Sequence, residues 1–429
     1  MRAVIWLVAL FAIAVAVALF AGNNQAVVTL FWPPHRIDMS LNLALLVGAV
    51  LFVLLHVALR TLAAVVSLPT QARRWRAQQK ERAMQAALMD AISHLLAGRF
   101  LRASRSAQSA LAQERSLSLL AIELGQDSGF SAQRAVQLRA LAHLVVAESA
   151  QALQNRPVRD EHLQLALELP AQRMGVETRE GIELRAARWA LEDRDPAAAL
   201  ARLGQLPVGV ARRTLALRLR LKAARLSQRT ADALETARLL AKHRAFSPQA
   251  AQSIVRGLAV ELLQAALDAR ELQQAWLSLE EAERRMPEVA VQAASRMMGL
   301  GGDAASARQW LVIAWDQMVA PDASWPEDLQ VRLVTCLERG LESIDDEWLA
   351  RMEAALLSRP RDANFQYLAG MACLSRQLWG KAQQLLSHAA LHLQDPGLRR
   401  RAWRALAQLA EQRGDAAAAQ QAYKKLAQT

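Results

Sequence analysis

Arg401-Ala-Trp403-Arg-Ala-Leu406-Ala407 runs on to Gly414-Asp415, then Ala419, then Tyr423, and the spacing of these residues decides the fold. Gly414 ends a first helix, because a residue without a Cβ readily takes the left-handed conformation that closes a helix C-terminus. Ala407 and Ala419 are small, so the helices before and after the glycine can approach closely. Trp403, Leu406 and Tyr423 are large and fill the space around that contact. The stretch predicts a hairpin of two helices.

The same spacing is that of the tetratricopeptide repeat, with a large aromatic at position 4, Leu at 7, small residues at 8 and 20, Gly near 15 and an aromatic at 24. Upstream, Ala369-Gly370 and Ala382 take positions 7, 8 and 20, and Pro396 ends the unit. Before them come Trp348, Ala355 and Pro360, then Gly302, Ala307 and Ala314, then Ala275, Leu279, Ala282 and Pro287. The position-20 residues are therefore 275, 307, 348, 382 and 419, at spacings of 32, 41, 34 and 37. Gly98-Arg-Phe100-Leu-Arg-Ala103, with Ala107 and Ala110, reads as a further hairpin, as does Asp195-Pro196-Ala-Ala-Ala199 with Leu203 and Pro207. The uneven spacing, and Trp348 in place of a small residue, make these degenerate repeats. Roughly 360 residues at about 34 each would give about ten hairpins. The expected fold is all-α, a superhelix of such hairpins, and Asn155 to Gly175 is its least clearly helical stretch.

Composition agrees. Ala, Leu, Gln, Arg and Glu, all strong helix formers, dominate after residue 70. Cys336 and Cys373 are the only cysteines and stand outside any Cys-x-x-Cys pair, which excludes a disulfide framework or a cysteine-rich zinc site. Net charge is +12, and +7 of it falls between Arg60 and Arg115, where ten Lys and Arg face three Asp and Glu. Basic charge concentrated there reads as a membrane-topology signal and as attraction to anionic lipid, not as a nucleic-acid surface.

The topology signal has a membrane segment to act on. Ala3 to Ala21 and Leu41 to Leu59 are each 19 residues long, with Asn42 and His56 the main polar interruptions. At 1.5 Å per residue, each spans roughly 29 Å, close to the ~30 Å hydrocarbon core. The 22–40 loop between them is neutral, whereas Arg60, Arg73, Arg74, Arg76, Lys80 and Arg82 follow the second stretch. Both termini are expected in the cytoplasm and the loop outside. Within the loop, apolar Ala26 to Trp32 is stopped by Pro33-Pro34 and is expected as a turn tucked against the interface. The expected organisation is a membrane hairpin over 1–66, a basic juxtamembrane helix and first repeats over 67–155, and a repeat domain over 156–429. Arg73, Arg74, Arg76, Lys80 and Arg82 are the expected contacts with anionic lipid.

Catalytic motifs weigh little. Gly299-Leu-Gly301-Gly-Asp-Ala304 fits the G-x-G-x-x-A dinucleotide pattern but follows a helical stretch instead of a strand, so a turn between repeat helices is expected. His388 and His392 share a helix face and are the candidates for a metal or porphyrin iron, though no acidic or thiol ligand adjoins them. There is no P-loop, His-Glu-x-x-His or Gly-x-Ser-x-Gly sequence. The chain is expected to be no enzyme and to need no cofactor. The repeat-packing residues expected from the pattern are Gly98, Ala103, Ala275, Gly302, Ala307, Gly370, Ala382, Trp403, Gly414, Ala419 and Tyr423.

Taken together, the chain resembles the HemY family. The resemblance rests on Trp32-Pro-Pro-His-Arg-Ile-Asp-Met-Ser-Leu-Asn42, on Leu96-Ala-Gly98-Arg-Phe100 with Ala103, and on Gln377-Leu-Trp379-Gly-Lys-Ala382. It implies a bacterial inner-membrane protein with two N-terminal membrane helices and a cytoplasmic repeat domain, linked to haem and protoporphyrin biosynthesis. It offers no catalytic residues to carry over. An unrelated flavin-dependent oxidase shares the name, but the strand–glycine loop such an enzyme needs is missing here. The expected function is a scaffold or regulator that holds haem-biosynthesis enzymes at the membrane. The alternative is a scaffold for another envelope process such as lipopolysaccharide assembly.

Overall fold

The computed structural model describes residues 2–22, 26–124, 129–320, 325–341 and 345–428. It is all-α apart from one two-stranded hairpin, and it divides into two compact units, Met1–Thr178 and Arg179–Thr429.

In the first unit, Arg2–Ala21 is a 20-residue helix. The loop after it is a β-hairpin where a turn was expected: Val27–Trp32 pairs antiparallel with His35–Ser40, and Pro33-Pro34 makes the bend. The run of β-branched and aromatic residues before the prolines, Val27-Val-Thr-Leu-Phe-Trp32, suits a short strand. The Ser40 hydroxyl then accepts from the Leu43 amide at 3.3 Å and caps one helix that runs unbroken for 56 residues, Leu41–Leu96. Among the described residues, its first part, Leu41–Ala63, is the stretch long and apolar enough to cross a membrane, with a mean hydropathy of 2.5 and no burial inside the protein. Its far end changes character. Met84, Leu88 and Ala91 are buried against Ala103, Ala107, Ala110 and Leu111 of the helix Phe100–Leu124, and Val145 and Val146 of Gly129–Ala152 complete that core.

The stretch from Asn155 to Gly175, which carries Pro157, Pro170 and Gly175, is helical after all. Asn155 caps Arg156–Leu167 with Pro157 in the first turn, where its missing amide costs nothing, and Pro170 precedes the short helix Ala171–Met174. Arg156–Leu167 packs on Gly129–Ala152 and belongs with it to the first compact unit, which ends at Thr178.

The second unit is a run of antiparallel helices around a continuous core reaching from Leu217 to Ala422. Its last hairpins pair Pro287–Gly299 with Ala304–Val319, Ala363–Ser375 with Trp379–His392, and Pro396–Gln412 with Ala416–Gln428. Most turns are built alike. Gly98, Gln154, Arg194, Gln228, Arg244, Gly301, Gln377 and Gly414 all have positive φ. At Gln377 the Leu378 amide donates to the Cys373 carbonyl at 2.9 Å and the Gln377 amide to Leu374 at 3.0 Å. At Gly414 the same pair of bonds runs to Ala410 and Glu411. This is the Schellman closure, which satisfies carbonyls a helix end otherwise leaves open.

Candidate protein-interaction surface

The first helix of each late hairpin packs against the first helix of the next, and polar side chains join them. From Glu327–Arg339, the Gln330 side chain accepts from Asn364 at 3.2 Å, and Glu338 accepts from the Tyr367 hydroxyl at 2.7 Å. Arg401, one hairpin further on, reaches the other Glu338 oxygen at 2.9 Å and donates to the Thr335 hydroxyl at 2.9 Å. Burial, reinforced by the Glu338 charge, pushes the Tyr367 phenol far above its usual range, so it acts as a neutral donor. The ladder contains a partly buried carboxylate, but the groups beside it hold it as an acceptor. It fixes the register of three hairpins and has no nucleophile–base pair.

Two open clefts flank these helices. One, of about 400 Å³, is lined by Gln252, Arg256, Arg285, Glu288, Gln317 and Trp325, and the other, of about 350 Å³, by Trp315, Asp316, Arg351 and Ser358. Ion pairs already engage their charges, Arg256 with Glu288 at 2.7 Å and Arg351 with Asp316 at 2.8 Å. Both are open to solvent, with room for a partner's side chain.

The packing residues read from the sequence stand as follows. Ala103, Ala307 and Ala382 are fully buried, Ala419 nearly so, and Ala275 packs on the core edge. Gly370 marks a close helix approach: a Cβ there would lie 2.8 Å from Leu386 Cγ. At Gly302 a Cβ would collide with the Met297 side chain. Gly98 and Gly414 are turn residues with φ of +70° and +77°. Trp403 is half-buried, and Tyr423 is 41% exposed. Trp348 replaces a small residue because it packs edge-on to Trp315 of the preceding unit, at 5.9 Å between ring centroids.

The glycine loop at 299–304 follows the helix Pro287–Gly299, and the Asp303 carboxylate accepts from the Ala305 and Ser306 amides at 3.1 and 2.9 Å. A carboxylate already occupies the helix N-terminus that a pyrophosphate would need. The rings of His388 and His392 lie 4.7 Å apart, and His388 Nδ1 meets the buried Gln366 side chain at 2.7 Å. Among the described residues, no group of three or more His, Cys, Asp and Glu side chains is placed to hold a metal. Cys336 and Cys373 are both buried, and burial pushes the Cys336 thiol up to about 12, away from nucleophilic chemistry.

Arg76, Lys80 and Arg82 stand on the long helix with Arg76 and Arg82 exposed; the side chains of Arg73 and Arg74 lie outside the described residues. Sequence reasoning missed a pair in the first unit. His143 and His162 face each other at 3.0 Å between ring nitrogens, and burial, then the neighbouring His162, lowers His143 to about 4. Nothing in their separation of 19 residues signals a contact, which arises only because two helices cross there.

With the segments in place, the match to known sequences has a structural meaning: residues 27–125 fit the family described as HemY protein N-terminus. This chain carries a HemY N-terminal domain. That domain takes in the β-hairpin, the long helix with its apolar span, and the first helix packed back upon it. No curated protein matches the chain. Solved structures match it at low similarity. The Naa15/Naa10 complex bound to HypK-THB has 14% identity and a TM-score of 0.24 over 81% of this chain, which spans 59% of that one. The P58(IPK) TPR domain has 15% identity and a TM-score of 0.23 over 76% of this chain and 98% of its own. The APC/C hetero-tetramer Cut9-Hcn1 has 14% identity and a TM-score of 0.26 over 84% and 68%.

Proposed function

We propose that this protein is a non-catalytic membrane-anchored adaptor whose helical hairpins gather partner proteins, and that those partners are enzymes of late haem biosynthesis. The carrying observation is the HemY N-terminal domain, in which a single helix joins an apolar span to the first helical hairpin. That construction supports a repeat domain held close to a membrane. The run of hairpins supports protein binding, since stacked repeats offer long continuous surfaces at low cost in ordering. The haem connection comes from the family resemblance. The topology proposed is two membrane helices with the repeats in the cytoplasm of a bacterial cell, near the anionic inner leaflet.

The test is purification of the full chain in mild detergent with identification of what accompanies it, together with porphyrin analysis of a deletion strain. Co-purifying haem-pathway enzymes and accumulated porphyrin are expected. Normal haem with no porphyrin build-up sinks the haem assignment, and altered lipopolysaccharide in the same strain points to the envelope alternative. Turnover of a porphyrinogen by the purified chain alone would overturn the non-catalytic reading.

A further inference from the structure

The β-hairpin has two unlike faces. Its register sets Val28, Leu30 and Trp32 across from Met39, Ile37 and His35, and side chains alternate along a strand, so these six share one face. Val27, Thr29 and Phe31 share the other with Ser40, Asp38 and Arg36. The second face gathers the polar groups: Arg36 pairs with Asp38 at 3.2 Å and lies over the Phe31 ring at 5.4 Å. The first face carries no Asp, Glu, Lys or Arg side chain. Trp32 on it is 73% exposed, Leu30 50% and Ile37 48%, and among the described residues no third strand pairs with the ribbon.

A lone two-stranded ribbon is marginal in water, and an uncovered apolar face makes it worse. What covers it follows from how it is tethered. Its open end is tied directly to the start of the apolar span: the Leu41 amide donates to the Ala26 carbonyl at 2.9 Å, and Ser40 caps the helix. Six residues per strand reach roughly 20 Å, so no part of the ribbon lies far from where the span leaves the bilayer. It also cannot sink into the hydrocarbon, because both of its edges carry unpaired backbone groups that only a closed barrel could satisfy there.

We propose that the ribbon is an interfacial brace: its Val28–Leu30–Trp32 and Ile37–Met39 face rests on lipid at the headgroup–acyl boundary, and its Arg36–Asp38 face meets water. Trp suits that depth, with an apolar ring and a polar N–H. A structure apolar on one side and charged on the other lies in the interface plane. The brace sets the depth of the Leu41–Ala63 span from the side opposite the basic residues. The inference rests on reading that span as membrane-crossing.

The test uses the full chain in phosphatidylcholine–phosphatidylglycerol nanodiscs, with a nitroxide on one introduced cysteine at a time: Leu30→Cys, Ile37→Cys, Thr29→Cys, Asp38→Cys and, in mid-span, Leu51→Cys. The native Cys336 and Cys373 are buried and stay unlabelled. Collisions with oxygen are expected to exceed those with a water-soluble nickel chelate at positions 30 and 37, by a several-fold ratio over positions 29 and 38. Equal nickel exposure on both faces places the ribbon in water and overturns the proposal. Shielding of 30 and 37 from both reagents puts protein, a partner or a second copy, on that face and overturns it too. Position 51 separates the two readings, since a nickel-exposed Leu51→Cys label would defeat the membrane span itself.

Discussion

At the scale of single residues, the turns carry a cost the chain could shed. Gln154, Arg194, Gln228, Arg244 and Gln377 hold positive φ, where a Cβ crowds the following carbonyl oxygen. That crowding costs about 1–2 kcal/mol, and replacing the residue by glycine gives back about 0.5–1 of it as extra freedom in the unfolded chain. Gln228→Gly and Gln377→Gly are therefore each expected to stabilise the protein by about 0.5–1 kcal/mol, read as a higher melting temperature of the detergent-solubilised chain. Gly414→Ala, at the same turn position with φ +77°, is expected to move the melt the other way. A fall in melting temperature for both glycine variants would mean that those side chains do something the Schellman turn does not require. The same residues explain what was legible. Turns with glycine at the left-handed position, at 98, 301 and 414, could be read from the sequence, and so could the Asp195-Pro196 turn. Those at Gln154, Gln228, Arg244 and Gln377 could not, because a Gln or Arg there looks like any exposed helix residue.

At the scale of the element, the unbroken Leu41–Leu96 helix constrains the lipid contacts expected of its basic residues. If the bilayer ends near Ala63, an upright helix carries Lys80 roughly 26 Å and Arg82 roughly 28 Å beyond it at 1.5 Å per residue. Those distances are about three Debye lengths at physiological salt, so little attraction remains. Arg73 and Arg74 start roughly 15 Å out, about two Debye lengths, so more of the attraction remains there. Each charge at the surface contributes about 1 kcal/mol. In nanodiscs carrying spin-labelled lipid, Arg73→Gln with Arg74→Gln is expected to cut the preference for phosphatidylglycerol over phosphatidylcholine several-fold. Lys80→Gln with Arg82→Gln is expected to leave it unchanged. Equal losses from both pairs would mean that the helix lies along the bilayer. Sequence showed the apolar period of this element and its charges, but not that one helix runs through both. Pro69 lies inside that helix, and the packing of Met84 and Leu88 on the next helix shows how far the element extends.

At the scale of the whole molecule, the +12 charge is spread through two roles. In the second unit arginines stitch one hairpin to the next: Arg238 to Glu283 at 2.7 Å, Arg296 to the Ala266 carbonyl at 2.7 Å, Arg308 to the Gly340 carbonyl at 3.1 Å and Arg376 to Asp346 at 3.0 Å. A guanidinium suits this work, because its fan of donors can satisfy carboxylates and helix-end carbonyls alike. Many of the arginines there thus have structural partners. The remaining excess follows the apolar span, and the proposed topology rests on it. Arg60 stands in the last turn of Leu41–Ala63 and Arg73, Arg74 and Arg76 follow it, while the short loop before it balances Arg36 with Asp38. Retention of positive charge in the cytoplasm orients such a span whatever the first helix does. A reporter enzyme active only in the periplasm is therefore expected to be silent when fused after Thr429 and active when inserted near Asn24. Changing Arg60, Arg73, Arg74 and Arg76 to Gln while adding lysines to the loop should invert or mix that pattern, because the bias then favours the other orientation. A periplasmic signal at Thr429 in the unaltered chain would put the repeats on the wrong side for cytoplasmic enzymes, and the adaptor reading would fall with the topology.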